Sequence, residues 1–121
     1  MNVFDASALL AFLQGESGAS TVERELAAGG HCGAANWSEV AQKVLSHGRD
    51  WDLAKALLLS YELEIADVTA TDAEWAAHRW RRGEGRSVAD RLCLALGERL
   101  DAAVWTADTG WESNERIKQI R

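Results

Sequence analysis

Short apolar runs alternate with helix-patterned stretches along the whole chain. Residues 1–4 form an apolar run that stops at Asp5, and 6–13 carries helix formers with Gly15 as the stop. A second helix is predicted over 19–28, closed by Gly29-Gly30, and a weak strand over 31–35. Helices follow over 36–47 and 51–61, then a strand over 63–68. Helices at 71–82 and 87–100, a β-rich run at 102–106 and a last edge strand at 117–120 complete the pattern. Strands separated by helices of about ten residues or more need crossover connections, so the expected fold class is α/β with a small, mainly parallel sheet flanked by helices.

In such sheets ligands bind beyond the carboxyl ends of the strands, near the topological switch point. Four carboxylates are predicted at that edge: Asp5 directly after the first strand, Asp108 just past the 102–106 strand, and Glu39 and Asp90 in the first turns of their helices. Carboxylates crowd together when a hard cation such as Mg²⁺ neutralises them. Each acid also has a purely structural explanation. Asp5 can cap the helix that begins at residue 6. Asn36 with Glu39, and Ser87 with Asp90, have capping-box spacing, and Asp108 sits in a Thr-Ala-Asp-Thr-Gly turn sequence. Thr71 and Glu74 make an equal capping-box pattern with no chemistry attached. What capping leaves unexplained is the placement of four acids at one edge.

The chain has 121 residues, 47% of them apolar and 26% charged, which suits one globular domain over 1–121 rather than disorder. No stretch approaches the ~18 uninterrupted apolar residues of a membrane span. Two cysteines, Cys32 and Cys93, without metal-type spacing read as buried thiols and suggest a cytoplasmic protein. The net charge of −6 opposes simple nucleic-acid binding, unless metal neutralises the acids and local arginines meet phosphate. Arg79, Arg81, Arg82, Arg86 and Arg91 form the densest basic stretch, with Arg86 and Arg91 flanking Asp90. On the predicted 71–82 helix, Ala73, Ala76, Ala77 and Trp80 make the apolar stripe. Trp75 would then face outward beside Arg79 and Arg82, as an RNA, protein or dimer contact. His31, His47 and His78 have no evident catalytic partners.

The blocks VFDASALLAFL, ANWSEVAQKV, SVADRLCLALGERL and VWTAD, in this order and spacing, span almost the whole chain. Together they resemble the PIN-domain ribonucleases, and within them the VapC toxins of bacterial toxin–antitoxin pairs. The resemblance implies a three-layer PIN-like fold and endonucleolytic cleavage of RNA with Mg²⁺ or Mn²⁺. It also implies inhibition by a cognate VapB-type antitoxin; a homodimer and no membrane association are expected. It assigns the acidic site to Asp5, Glu39, Asp90 and Asp108, with Ser7 and Thr106 in support by hydrogen bonding. Asp5 and Asp90 are then the principal metal ligands, Asp108 contributes directly or through water, and Glu39 completes the shell or orients the attacking water. Arg86 and Arg91 are candidates for holding RNA phosphate. Two other readings are a catalytically weak PIN-domain module acting through antitoxin and promoter-complex binding, and a phosphoacceptor receiver. The receiver fits poorly, because Asp5 is unpaired, Asp67 is at an uncertain strand end and only Lys118 is available late.

Overall fold

Val3 and Phe4 are consecutive in the first strand and both fully buried, but on opposite faces of a sheet. A strand buried on both faces needs helices on both sides, and the computed structural model, which describes residues 1–112 and 114–121, supplies them. Five strands, β1 Asn2–Phe4, β2 Gly30–Gly33, β3 Leu63–Ala66, β4 Ala103–Thr106 and β5 Ile117–Gln119, form one sheet in the order β3-β2-β1-β4-β5. Every pairing in it is parallel. Six helices connect the strands: α1 Ala6–Gln14, α2 Ala19–Ala27, α3 Ala34–Ser46, α4 Trp51–Ser60, α5 Ala70–His78 and α6 Val88–Leu100.

Phe4, Leu9, Val22, Leu26, Val40 and Leu58 pack the α1–α4 side of the sheet. Val3, Cys93, Leu96, Val104 and Ile117 pack the α6 side. The chain runs β1, β2, β3 to one edge, then crosses back through α5 and α6 to lay β4 on the other side of β1. The strand order therefore reverses between β1 and β4, the position at which α/β sheets open a crevice. Among the described residues no helix is long and apolar enough to cross a membrane.

Strand β2 is short and carries two glycines, yet it lies inside the sheet rather than at its edge. Gly30 is required there: a Cβ would come within 2.7 Å of the Phe4 ring, which lies across the neighbouring strand. Gly97 serves the same end on α6, where a Cβ would run into Val104, so helix and sheet approach closely only because the side chain is missing.

Two predicted helices differ from the structure in informative ways. Helix α3 begins at Ala34, two residues before Asn36, with Gly33 at its N-cap. Asn36 is thus an interior helical residue, and its side chain reaches Glu39 instead of a backbone N–H. Helix α5 is capped by Thr69 and Asp72, not by Thr71 and Glu74. It ends at His78, where the Arg81 guanidinium donates to the carbonyls of His78 and Trp80 and closes the last turn. The inward face of α5 is Asp72, Trp75 and Ala76, so Trp75 is half-buried against the α6-side core, while Trp80 is 52% exposed. The expected outward Trp75 and inward Trp80 are exchanged. The reason is a buried acid: Asp72 takes a two-pronged contact from Arg99 of α6, at 3.0 Å (Nε to Oδ1) and 3.1 Å (Nη2 to Oδ2), and this sets the rotation of α5.

Burial opposes the charge on Asp72, but the hydrogen bonds from Arg99 and Thr69 outweigh it and hold the carboxyl below its ordinary value. A lowered carboxyl contributes stability above its unfolded value of 3.8, and that contribution is lost as pH falls through the folded value. Asp72→Ala should cost about 2 kcal/mol in urea unfolding at pH 7, as expected for hydrogen bonds to a charged group, with less loss in strong acid. An unchanged midpoint at pH 7 would contradict the anchoring role. Gly97→Ala should destabilise by about 1 kcal/mol, since overpacking outweighs the gain in helix propensity. In a Val104→Ala background that penalty should disappear, giving a coupling of about 1 kcal/mol in a double-mutant cycle.

Candidate active site

Asp5 follows β1 directly and is 3% exposed. It is the N-cap of α1, and its Oδ1 accepts the Ala8 N–H at 2.8 Å. The same oxygen accepts the Ser7 hydroxyl at 2.7 Å, and Oδ2 accepts the Thr106 hydroxyl at 2.5 Å. The pairing of Phe4 with Trp105 places Thr106 at the end of β4, next to Asp5 across the switch point. Capping and site formation are thus one arrangement. Each hydroxyl has a single proton, and both protons go to the Asp5 carboxylate. In return Ser7 Oγ accepts the Ala107 N–H at 2.9 Å and Thr106 Oγ1 accepts the Asp108 N–H at 3.0 Å.

These three hydrogen bonds favour the ionised carboxylate, but they do not offset its burial. Desolvation, reinforced by the negative charge of Asp90, raises Asp5 from its ordinary 3.8 to about 6. Burial and the Asp90 charge also raise Glu39, against the lowering effects of the Asn36 hydrogen bond and of Lys43. The thiol of Cys93, under the site in the core, is pushed up first by its own burial. It feels Asp5, Asp90 and Glu39 as well, so these three acids act on a common point from different elements. Cys32 is raised in the same way by burial, Asp5 and Glu39, and neither thiol is ionised near neutral pH.

Asp90 occupies the first turn of α6, and its Oδ2 accepts the Ser87 N–H at 2.9 Å in a complete capping box. Asn36 is 1% exposed and joins two of the acids' elements. Its Nδ2 donates to Glu39 Oε1 and to the carbonyl of Ala89, each at 3.3 Å, and so braces α3 against α6 beside Asp90. The sequence carried this signal as Asn-x-x-Glu, but the same spacing describes a cap, and only the earlier start of α3 separates the two. Asp108 is exposed, and its Oδ1 accepts the Gly110 N–H at 2.8 Å. It is linked to Asp5 through Thr106, and its turn is pinned to β5 by Gln119, which donates to the carbonyls of Asp108 and Trp111.

The two arginines flanking Asp90 are placed differently from each other. Arg91 is buried, and its Nη1 donates to the Ala76 carbonyl at 2.9 Å, so it fastens α6 to α5 rather than facing solvent. Arg86 lies over the Trp111 ring, 5.6 Å from its centre, and pairs with Glu84 at 3.4 Å.

A carboxylate offers about four lone-pair positions. On Asp5 three are engaged, leaving one on Oδ2; Asp90 Oδ1 and Glu39 Oε2 accept no hydrogen bond from any described residue. Among the described residues no three His, Cys, Asp or Glu side chains are gathered closely enough to enclose a metal ion. All the spare donors are hard oxygens. That donor set fits Mg²⁺ or Mn²⁺, which bind through one or two carboxylates and keep several waters, better than a metal needing a complete protein cage.

The fold has relatives among known structures. A toxin–antitoxin complex from Klebsiella pneumoniae contains a chain that superposes with a TM-score of 0.76 at 15% identity, over 100% of this chain and 98% of that one. Mycobacterium tuberculosis VapC20, a sarcin–ricin loop cleaving toxin, superposes with a TM-score of 0.70 at 19% identity, over 90% of this chain and 91% of its own. No curated protein matches the chain in sequence. At these identities the superpositions establish the shared fold. The sequence itself matches the PIN domain family over residues 3–117, which takes in Asp5, Glu39, Asp90 and Asp108, and the chain is a member of that family.

Proposed function

We propose that the protein is a divalent-metal-dependent endoribonuclease and the toxin of a toxin–antitoxin pair. The observation that carries the reading is Asp5: a carboxylate buried at the β1/β4 switch point, raised to about 6, and exposed to the charge of Asp90. A fold with no use for that charge would be more stable with asparagine there. PIN-family membership and the two toxin-related structures support the same conclusion, and the Klebsiella complex supports an antitoxin as partner. A bound Mg²⁺ or Mn²⁺ would supply an activated water and neutralise charge at the scissile phosphate. Asp5 and Asp90 would hold it, with Asp108 contributing from the rim. Ser7 and Thr106 fix the Asp5 carboxylate and stabilise its ionised form. Glu39, raised by burial and by Asp90, is suited to take a proton at Oε2 from the attacking water.

Asp5→Asn should abolish cleavage of total RNA in Mn²⁺ while leaving the protein folded, because the amide oxygen still accepts from Ala8. Undiminished cleavage by Asp5→Asn would sink the assignment. Adding Mn²⁺ should raise the melting temperature of the wild type at pH 7.5, and this response should be absent in Asp5→Asn.

The pH dependence follows from the same shift. Asp5 is raised above its unfolded value, so its contribution to stability is complete below pH 3.8 and is lost as pH rises through about 6. Glu39 acts in the same direction. Metal-free protein should therefore lose stability between pH 4 and pH 7, with Asp5 accounting for on the order of 3 kcal/mol. Asp5→Asn should flatten most of that slope in denaturant titrations. The Mn²⁺ response should shrink below pH 6, where the carboxylate is protonated.

A further inference from the structure

Outside the acidic site, the most unusual chemistry lies in the connection between α5 and α6. Residues 79–86 contain Arg79, Arg81, Arg82 and Arg86 against the single acid Glu84, a local charge of +3 in a chain whose net charge is −6. Three of these arginines are mounted on indoles. Arg79 lies over Trp75 at 4.4 Å from the ring centre, Arg82 over Trp80 at 5.7 Å and Arg86 over Trp111 at 5.6 Å. Arg81 is the exception, since its guanidinium closes the end of α5.

Stacking uses the face of a guanidinium and leaves its edge, with five N–H donors, available for other partners. The guanidinium groups of Arg79 and Arg82 neither hydrogen-bond nor ion-pair with any described residue, so their edges are unspent. Mounting on a ring also restricts the long side chain, which lowers the entropy lost when it grips a ligand. Trp80 remains 52% exposed beside its arginine, a flat apolar surface open to solvent. Arg79, Arg81 and Arg86 also line an open cleft of ≈ 560 Å³, which Glu84, Glu98 and Glu115 share and whose lining does not include Arg82 or Trp80. Arg86 directly precedes Ser87, whose N–H holds the Asp90 carboxylate, so the arginine-bearing segment starts at the acids and leads away from them.

We infer that the α5–α6 connection is a binding surface for single-stranded RNA, in which Arg79 and Arg82 grip phosphates and Trp80 stacks a base. The inference rests on the nuclease reading and deepens it, because it says how a polyanion is held beside repelling carboxylates. Ring-mounted guanidinium edges match phosphate oxygens bidentately, and an exposed indole adjacent to them matches a nucleobase. An acidic peptide would use the arginines but would have no need of the bare ring.

The test is binding without cleavage. Fluorescence anisotropy in EDTA, with a fluorescein-labelled 12-nucleotide oligouridine, reads affinity directly, and Asp5→Asn serves as a non-cleaving background. Arg79→Gln with Arg82→Gln should weaken binding about tenfold or more and reduce the slope of log K against log salt by about 1.4, two phosphates at ~0.7 each for a single strand. Trp80→Ala, at an exposed position that the core does not use, should weaken binding at least about fivefold at every salt concentration. Affinity and salt slope unchanged in both variants would overturn the inference, as would displacement of the RNA by polyglutamate at equal charge concentration. The two readings fail separately. Cleavage that needs Asp5 but ignores Arg79, Arg82 and Trp80 refutes this surface alone. Binding that needs those residues, without Asp5-dependent cleavage, supports the surface and refutes the nuclease.

Discussion

Burying the Asp5 carboxylate is the constraint around which the rest of the molecule is arranged. An isolated buried carboxylate would simply be protonated. Here the Ala8 N–H and the hydroxyls of Ser7 and Thr106 favour the charge, and they come from α1 and from β4. Those donors reach one carboxylate only if β4 lies beside β1 in the register that pairs Phe4 with Trp105. The crossing of α5 and α6 back over the sheet is what puts β4 there. Even so, the hydrogen bonds lose to desolvation and to Asp90, and Asp5 stays raised. Such unfavourable burial is retained where function depends on it, at the expense of the most stable sequence.

Much of this was readable from the chain, because the elements are short and punctuated. Gly15, Gly29 and Gly48 mark helix ends as glycines in left-handed conformations do, and the alternation of strands with helices points to the parallel sheet. Asp5 is legible as an acid at a strand end and Asp90 as one in a helix's first turn, and the structure gives both a capping bond as well as a place in one field. The strand at 31–35 is locally weak because the observed β2 starts at Gly30, which answers to a long-range neighbour, the Phe4 ring, that no local pattern encodes. The rotation of α5 was misread for a similar reason. Periodicity places Trp80 in the apolar stripe, whereas Arg99, 27 positions from Asp72, makes that acid the buried anchor.

The capping boxes show how far local pattern can go. Ser-x-x-Asp at 87–90 forms as its spacing predicts, and the acid still projects a charge onto Asp5 and Glu39. Asn-x-x-Glu at 36–39 has equivalent spacing but sits inside a helix, where the amide braces Glu39 and α6 instead. Thr-x-x-Asp at 69–72 caps α5 and at the same time receives Arg99. A capping acid is therefore not a spent acid. Its second oxygen is available for another charge, and tertiary context decides whether that charge is an arginine or a group bound from outside.

Helix α6 joins these features mechanically. Its first turn carries Asp90, and toward its end it carries Gly97 against Val104 and Arg99 on Asp72. Arg116 holds its far end, donating to the carbonyls of Gly97 and Ala102 and pairing with Asp101. A helix fixed toward its end, and tied near its start by Arg91 to the Ala76 carbonyl and by Asn36 to the Ala89 carbonyl, is a rigid rod whose tip bears the acid. Packed interiors transmit displacement rather than absorb it. Pushing α6 off the sheet at Gly97 would therefore move Asp90 relative to Asp5, two turns from the substituted residue. The separation of the acids is set as much by the missing side chain under the helix as by the side chains at the site.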